Sequence, residues 1–105
     1  MSNSGALIKP EPIREIAFGD ITTVYQQFGP QFTRLVRFFT MDNDMDVDIY
    51  ISLDGVTDQF RCRPEEAKVF DLKTNDCLIN PGDFLYIRAI SAASSGDCFV
   101  ESITT

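Results

Sequence analysis

"VDIYISLDGVTDQFRCRP", residues 47–64, decides the fold. Val47, Ile49, Ile51 and Leu53 alternate with Asp48, Tyr50 and Ser52. A period of two is the strand period, so one face is apolar and the other wetted. Asp54-Gly55 is a turn pair. "QFRCR" (59–63) alternates again, and Pro64 ends it because proline supplies no ladder donor. Strand, turn, strand and stop occupy eighteen residues.

The same grammar extends in both directions. "IREIAF" (13–18), "ITTVY" (21–25) and "FTRLVRFFT" (32–40) read as strands, the last with Phe32, Val36 and Phe38 on one face. "QQFGPQ" is a turn around Gly29-Pro30. "KVFDLK" (68–73), "CLI" (77–79), "FLYIRAI" (84–90) and "CFVESIT" (98–104) follow, divided by "TND", "NPGD" and "SAASSGD". Only "PEEAKVF" (64–70) has the composition for a helical turn. Strands about ten residues apart with turn punctuation predict an all-β fold, an antiparallel β-sandwich (jelly-roll or Ig-like) of about eight short strands. With 105 residues there is one domain, expected over 13–105. Residues 1–12, with Pro10 and Pro12, are expected to form an extended N-terminal arm, frayed or docked on a neighbour through Leu7 and Ile8.

The net charge of −7 opposes phosphate backbones and anionic membrane surfaces, so neither nucleic acid nor membrane is expected as a partner. No apolar run approaches the roughly 18 residues of a membrane span, and the N-terminus lacks the pattern of a signal peptide. Cys62, Cys77 and Cys98 are widely spaced, and no histidine exists to complete a zinc site. Buried free thiols suited to a reducing cytosol are the expectation. The absence of histidine also removes Ser-His-Asp and Cys-His chemistry, and no phosphate-binding glycine loop is present. No enzyme and no cofactor is expected.

The aspartates at 42, 44, 46 and 48 pose the one chemical question. An EF-hand starting at Asp42 needs glycine at 47 and glutamate at 53, where the chain has Val47 and Leu53. A calcium site on Asp42, Asp44 and Asp46 stays open as a lesser reading. The expectation is a solvated hairpin tip with the carboxylates on its wet face. Tyr25, Tyr50 and Tyr86 are the candidates if the sandwich instead binds a carbohydrate or receptor.

Residues 45–104 resemble small β-sandwich virion proteins of tailed bacteriophages. The resemblance rests on the turn Asp54, Gly55, Val56, Thr57 and Asp58, on Pro64 followed by Val69, Phe70 and Asp71, and on Gly82, Tyr86 and Ile87. It implies a structural role in the particle. The expected function is capsid decoration or cement, with a head–tail connector or tail accessory part as the alternative. It further implies many copies or a homo-oligomer, with the major capsid protein or portal and tail proteins as partners, in a virion assembled in the host bacterial cytoplasm. Leu7, Ile8, Pro10, Asp54, Gly55 and Asp58 are the expected interface positions.

Overall fold

A computed structural model describes residues 9–71 and 79–104. Nine strands and no helix occur among them. They are β1 (Lys9–Pro10), β2 (Arg14–Ala17), β3 (Gln26–Gln27), β4 (Val36–Asn43), β5 (Ile49–Ser52), β6 (Phe60–Cys62), β7 (Glu66–Asp71), β8 (Tyr86–Ala89) and β9 (Asp97–Thr104). All pairings are antiparallel. One sheet runs β1-β9-β4-β7, with β2 also on β9; the other runs β3-β8-β5-β6. From β2 onward the chain crosses between sheets at every connection except the β5–β6 hairpin. That order is a jelly roll, which settles the choice left between jelly roll and immunoglobulin topology.

The apolar faces meet in one core. Val36, Phe39, Met41, Ile49, Ile51, Leu85, Ile87 and Val100 have essentially no exposure. Each such side chain contributes roughly 1.5–3 kcal/mol relative to exposure. Phe39, Phe60 and Phe70 pack at centroid distances of 4.7–5.5 Å and close the edge where β6 and β7 meet. Val47 and Leu53 flank the core, as the alternation of 47–53 requires. Arg14 faces inward, its Nη1 donating to the carbonyls of Phe28 (2.8 Å) and Pro30 (2.7 Å) and its guanidinium lying 4.0 Å from the Phe32 ring centroid. It pins the 28–30 turn to β2.

Four local expectations are corrected. Phe38 does not share a face with Phe32 and Val36: the register shifts between Val36 and Phe38, and this bulge sends Phe38 outward and Phe39 into the core. "ITTVY" forms no strand, although Ile21 is buried. There Thr22 Oγ1 bonds the Val24 carbonyl instead, a local alternative to a ladder. "PEEAKVF" carries no helical turn; Pro64 and Glu65 make a bend, and Glu66–Asp71 is β7, paired with Phe38–Asn43. Finally, the aspartate segment is not a hairpin. Its flanking strands lie in different sheets, so residues 44–48 form a corner between layers.

Asn43 holds that corner. Its Nδ2 donates to the carbonyls of Val47 and Cys62, both at 2.9 Å, and its Oδ1 accepts from the Met45 amide at 2.8 Å. Gly96 lies against it at φ +91°, where an added Cβ would stand 2.0 Å from the Asp44 carbonyl oxygen. Part of the expected arm is paired: Lys9 and Pro10 pair with Thr104 and Ile103, and the Glu11 amide donates to the Ser102 carbonyl. Leu7 and Ile8 lie outside the described residues, as does Cys77.

Candidate functional site

The outer face of the four-stranded sheet gathers the polar chemistry of the molecule. Cross-strand register sets Tyr50 of β5 opposite Arg88 of β8 on one side and Arg61 of β6 on the other. Tyr25, just before β3, reaches the same row. The Arg88 guanidinium lies 4.8 Å from the Tyr50 ring centroid and 5.5 Å from that of Tyr25. It donates from Nε to Asp58 Oδ1 at 3.0 Å and from Nη2 to Asp58 Oδ2 at 2.6 Å. The Tyr25 hydroxyl donates to the same Oδ1. This bidentate, charge-assisted pair fixes Arg88 in one plane between two aromatic rings.

The electrostatics follow from that geometry. The Arg88 hydrogen bonds, then the Tyr25 hydroxyl, hold the Asp58 carboxyl below the usual carboxylate range. Asp58 in turn raises the Arg88 pKa. The Tyr25 phenol is pushed up, first by burial and then by its bond to Asp58. Arg88 therefore stays a cation and Tyr25 a neutral donor. The arrangement has the parts of a recognition surface, aromatic rings and fixed donors, with the central charge already neutralised by Asp58.

The 53–59 loop is folded over one end of this face. Asp54 Oδ1 accepts from the amides of Val56 and Thr57, both at 2.8 Å, and from Ser52 Oγ at 2.6 Å. The Ser52 bond, then the backbone bonds, lower the Asp54 pKa. Gly55, at φ +77°, lies beneath Tyr86, with an added Cβ only 3.4 Å from the ring. Asp54 and Asp58, expected at an interface, thus commit their carboxylates within the protein. All three tyrosines nonetheless reach one face.

The outer face of the five-stranded sheet is different in kind. Register places Pro10, Ile103 and Phe38 in one row, Glu101, Thr40 and Val69 in the next, and Glu15, Phe99, Asp42 and Ala67 in a third. Val69 is 70% exposed. The face therefore shows an apolar stripe broken by carboxylates. Its outward positions with described side chains carry no lysine or arginine, apart from Arg37 within the bulge. Lys68 and Glu66, on the opposite face of β7, form an ion pair of 3.7 Å. Inward-leaning charges on an edge strand discourage edge-to-edge pairing.

The aspartates do not converge. Asp42 belongs to the face just described. Asp46 accepts from the Ser94 amide at 2.9 Å and from its hydroxyl, which together lower its pKa. Asp44 lines a shallow hollow with Asp46, Pro64, Glu65 and Ser95. Among the described residues, no group of three or more His, Cys, Asp or Glu is arranged to hold a metal ion. Cys62 and Cys98 are both buried, and burial is the largest cause pushing their thiols up to about 11 and about 12. Among the described residues, no helix is long and apolar enough to cross a membrane.

Sequence reasoning missed Arg88, Phe38, Phe99 and Val69 as surface residues. Arg88 carried a usable signal: it is the lone charge inside "FLYIRAI", and a charge in an apolar strand marks the outward face. Phe38 carried none, because a bulge has no reliable mark in the sequence.

No family model matches this chain, and no curated protein matches it. A solved structure described as "Bacillus endospore appendages form a novel family of disulfide-linked pili" is similar in fold, with a TM-score of 0.51 and 12% identity over 93% of this chain and 88% of that one.

Proposed function

We propose that this chain is a non-enzymatic structural subunit that works in many copies through protein–protein contacts. On the sequence resemblance, its setting is the virion of a tailed phage, with capsid decoration favoured over a connector or tail accessory role. The carrying observation is the outer face of the five-stranded sheet, where Phe38, Phe99, Ile103 and Val69 point away from the core. Contiguous apolar surface of this kind marks contact sites. The jelly-roll order agrees by fold-level analogy, since capsid domains use it, as do lectin domains. The fold neighbour is described as one of the endospore appendages that form disulfide-linked pili, which agrees with a many-copy role.

Capsids purified without the chain, mixed with increasing amounts of the purified protein and imaged by cryo-electron microscopy, test the reading. Saturable occupancy of repeated lattice positions is the expected result. Occupancy of one vertex only favours the connector alternative, and no density on any particle refutes the virion role. A second reading, a carbohydrate- or receptor-binding module, is favoured by the convergence of Tyr25, Tyr50 and Tyr86 on one face. Glycan-array binding that is lost in Tyr50→Ala supports it, and an empty array removes it.

A further inference from the structure

We propose that copies of this chain stack in one direction, the carboxylate-bearing apolar face of the five-stranded sheet of one copy seated on the tyrosine–arginine face of the four-stranded sheet of the next. This rests on the many-copy reading above and names the partner and both surfaces.

The occupant is chosen by charge. The five-stranded face carries Glu15, Asp42 and Glu101 around its apolar stripe. Two such faces pressed together would set carboxylates against carboxylates, a like-charge juxtaposition that works against association. The four-stranded face offers the opposite: Arg61, which makes no ion pair among the described residues, stands beside Tyr50. Arg88 lies across the same row with its charge offset by Asp58. Tyrosine rings are amphipathic and rigid, suited to packing on Phe and Ile, and the Tyr25 hydroxyl keeps its bond to Asp58. Of the other carboxylates on this side, Asp48 stands two residues before Tyr50, one step beyond the Arg88–Tyr50–Arg61 row, and Asp54 is bonded within its own loop.

The shorter strands of the four-stranded sheet set the size of the contact. With strands about 4.8 Å apart and about 3.3 Å per residue, the strands of two to four residues in the four-stranded sheet give a footprint of about 200 Å² on that side. A stable interface buries about 1,200–2,000 Å² in total, so one contact alone is weak. Because the two surfaces differ, each added copy leaves one of each kind open. Weak, directional, repeatable contacts give stacks at high local concentration and dispersed copies at low concentration.

Reciprocal charge reversal tests this. One variant carries Asp42→Lys with Glu101→Lys, the other Arg61→Glu; all three positions are exposed, and circular dichroism checks that both fold. Sedimentation velocity up to millimolar protein at low salt should show the wild type growing with concentration. Each variant alone should associate at least about tenfold more weakly. An equimolar mixture should recover wild-type growth, because each interface then pairs one reversed or native acid face with an oppositely charged partner. Asp20→Lys, outside both faces, should behave as wild type. A wild type monomeric at every concentration, variants that associate normally, or a mixture that stays dispersed each overturns the stacking. A monomeric wild type that still decorates capsids would do so while leaving the functional reading intact; stacks that ignore capsids would do the reverse.

Discussion

Replacing Gly96 with alanine is expected to destabilise the protein by about 3–5 kcal/mol. Two independent effects act. At φ +91° an alanine is strained by about 1–3 kcal/mol whatever the surrounding space. The new Cβ would also stand 2.0 Å from the Asp44 carbonyl oxygen, 2.7 Å from its carbonyl carbon and 3.0 Å from Met45 Cα. These are backbone atoms, so no rotamer change relieves the clash. The corner between the sheets must retreat, which strains the Asp44 amide bond to the Asp97 carbonyl (2.9 Å) and the Phe18 amide bond to the Gly96 carbonyl (2.9 Å). Each such bond is worth roughly 1 kcal/mol. Domains of this size have total stabilities of about 5–15 kcal/mol, so the midpoint should fall on the order of 20 °C. Thermal melting followed by far-ultraviolet circular dichroism reads the effect. Gly19→Ala is the control, because nothing lies within 4 Å of its added Cβ. A Gly96→Ala protein melting within about 5 °C of wild type would refute the claim that this glycine permits the corner.

Asn43→Ala should cost roughly 2–4 kcal/mol in urea unfolding, because the Met45 amide and the Val47 and Cys62 carbonyls lose a partner together; a loss below about 1 kcal/mol would mean that water replaces the side chain. Asp58 titrates below its unfolded value near 3.9, so its stabilising contribution is present above that pH and fades as pH falls through the folded pKa. The stability gap between wild type and Asp58→Asn should therefore narrow as pH drops below about 4, and a gap constant from pH 7 to 2 would exclude the Arg88 pair as its source. Burial and raised pKa values predict that neither Cys62 nor Cys98 reacts with a thiol reagent at neutral pH in the native state. The double variant Cys62→Ser, Cys98→Ser should then give native labelling equal to wild type, while urea exposes the difference.

Local alternation was enough to read the class of fold. Ile49, Ile51, Ile87 and Val100 are buried where a period of two puts them, and the Asp54-Gly55 turn joins β5 to β6. Strand β9 covers the whole of "CFVESIT" and adds Asp97. These features depend on neighbours a few residues apart, which sequence displays directly. The candidate site was legible in part: three tyrosines were named, and they do share a face, but the arginine that orders two of them was not.

What the sequence by itself determined, then, is which segments extend and which of their side chains avoid water. Tertiary structure alone decided which strands are neighbours. That β4 and β5 enter different sheets turns an acidic hairpin into a corner, and the bulge after Val36 exposes Phe38 instead of Phe39. Pairing partners 23 to 95 residues apart, the β5–β6 hairpin aside, are selected by the packing of the whole core. A short apolar strand satisfies its own pattern equally well beside any of several neighbours.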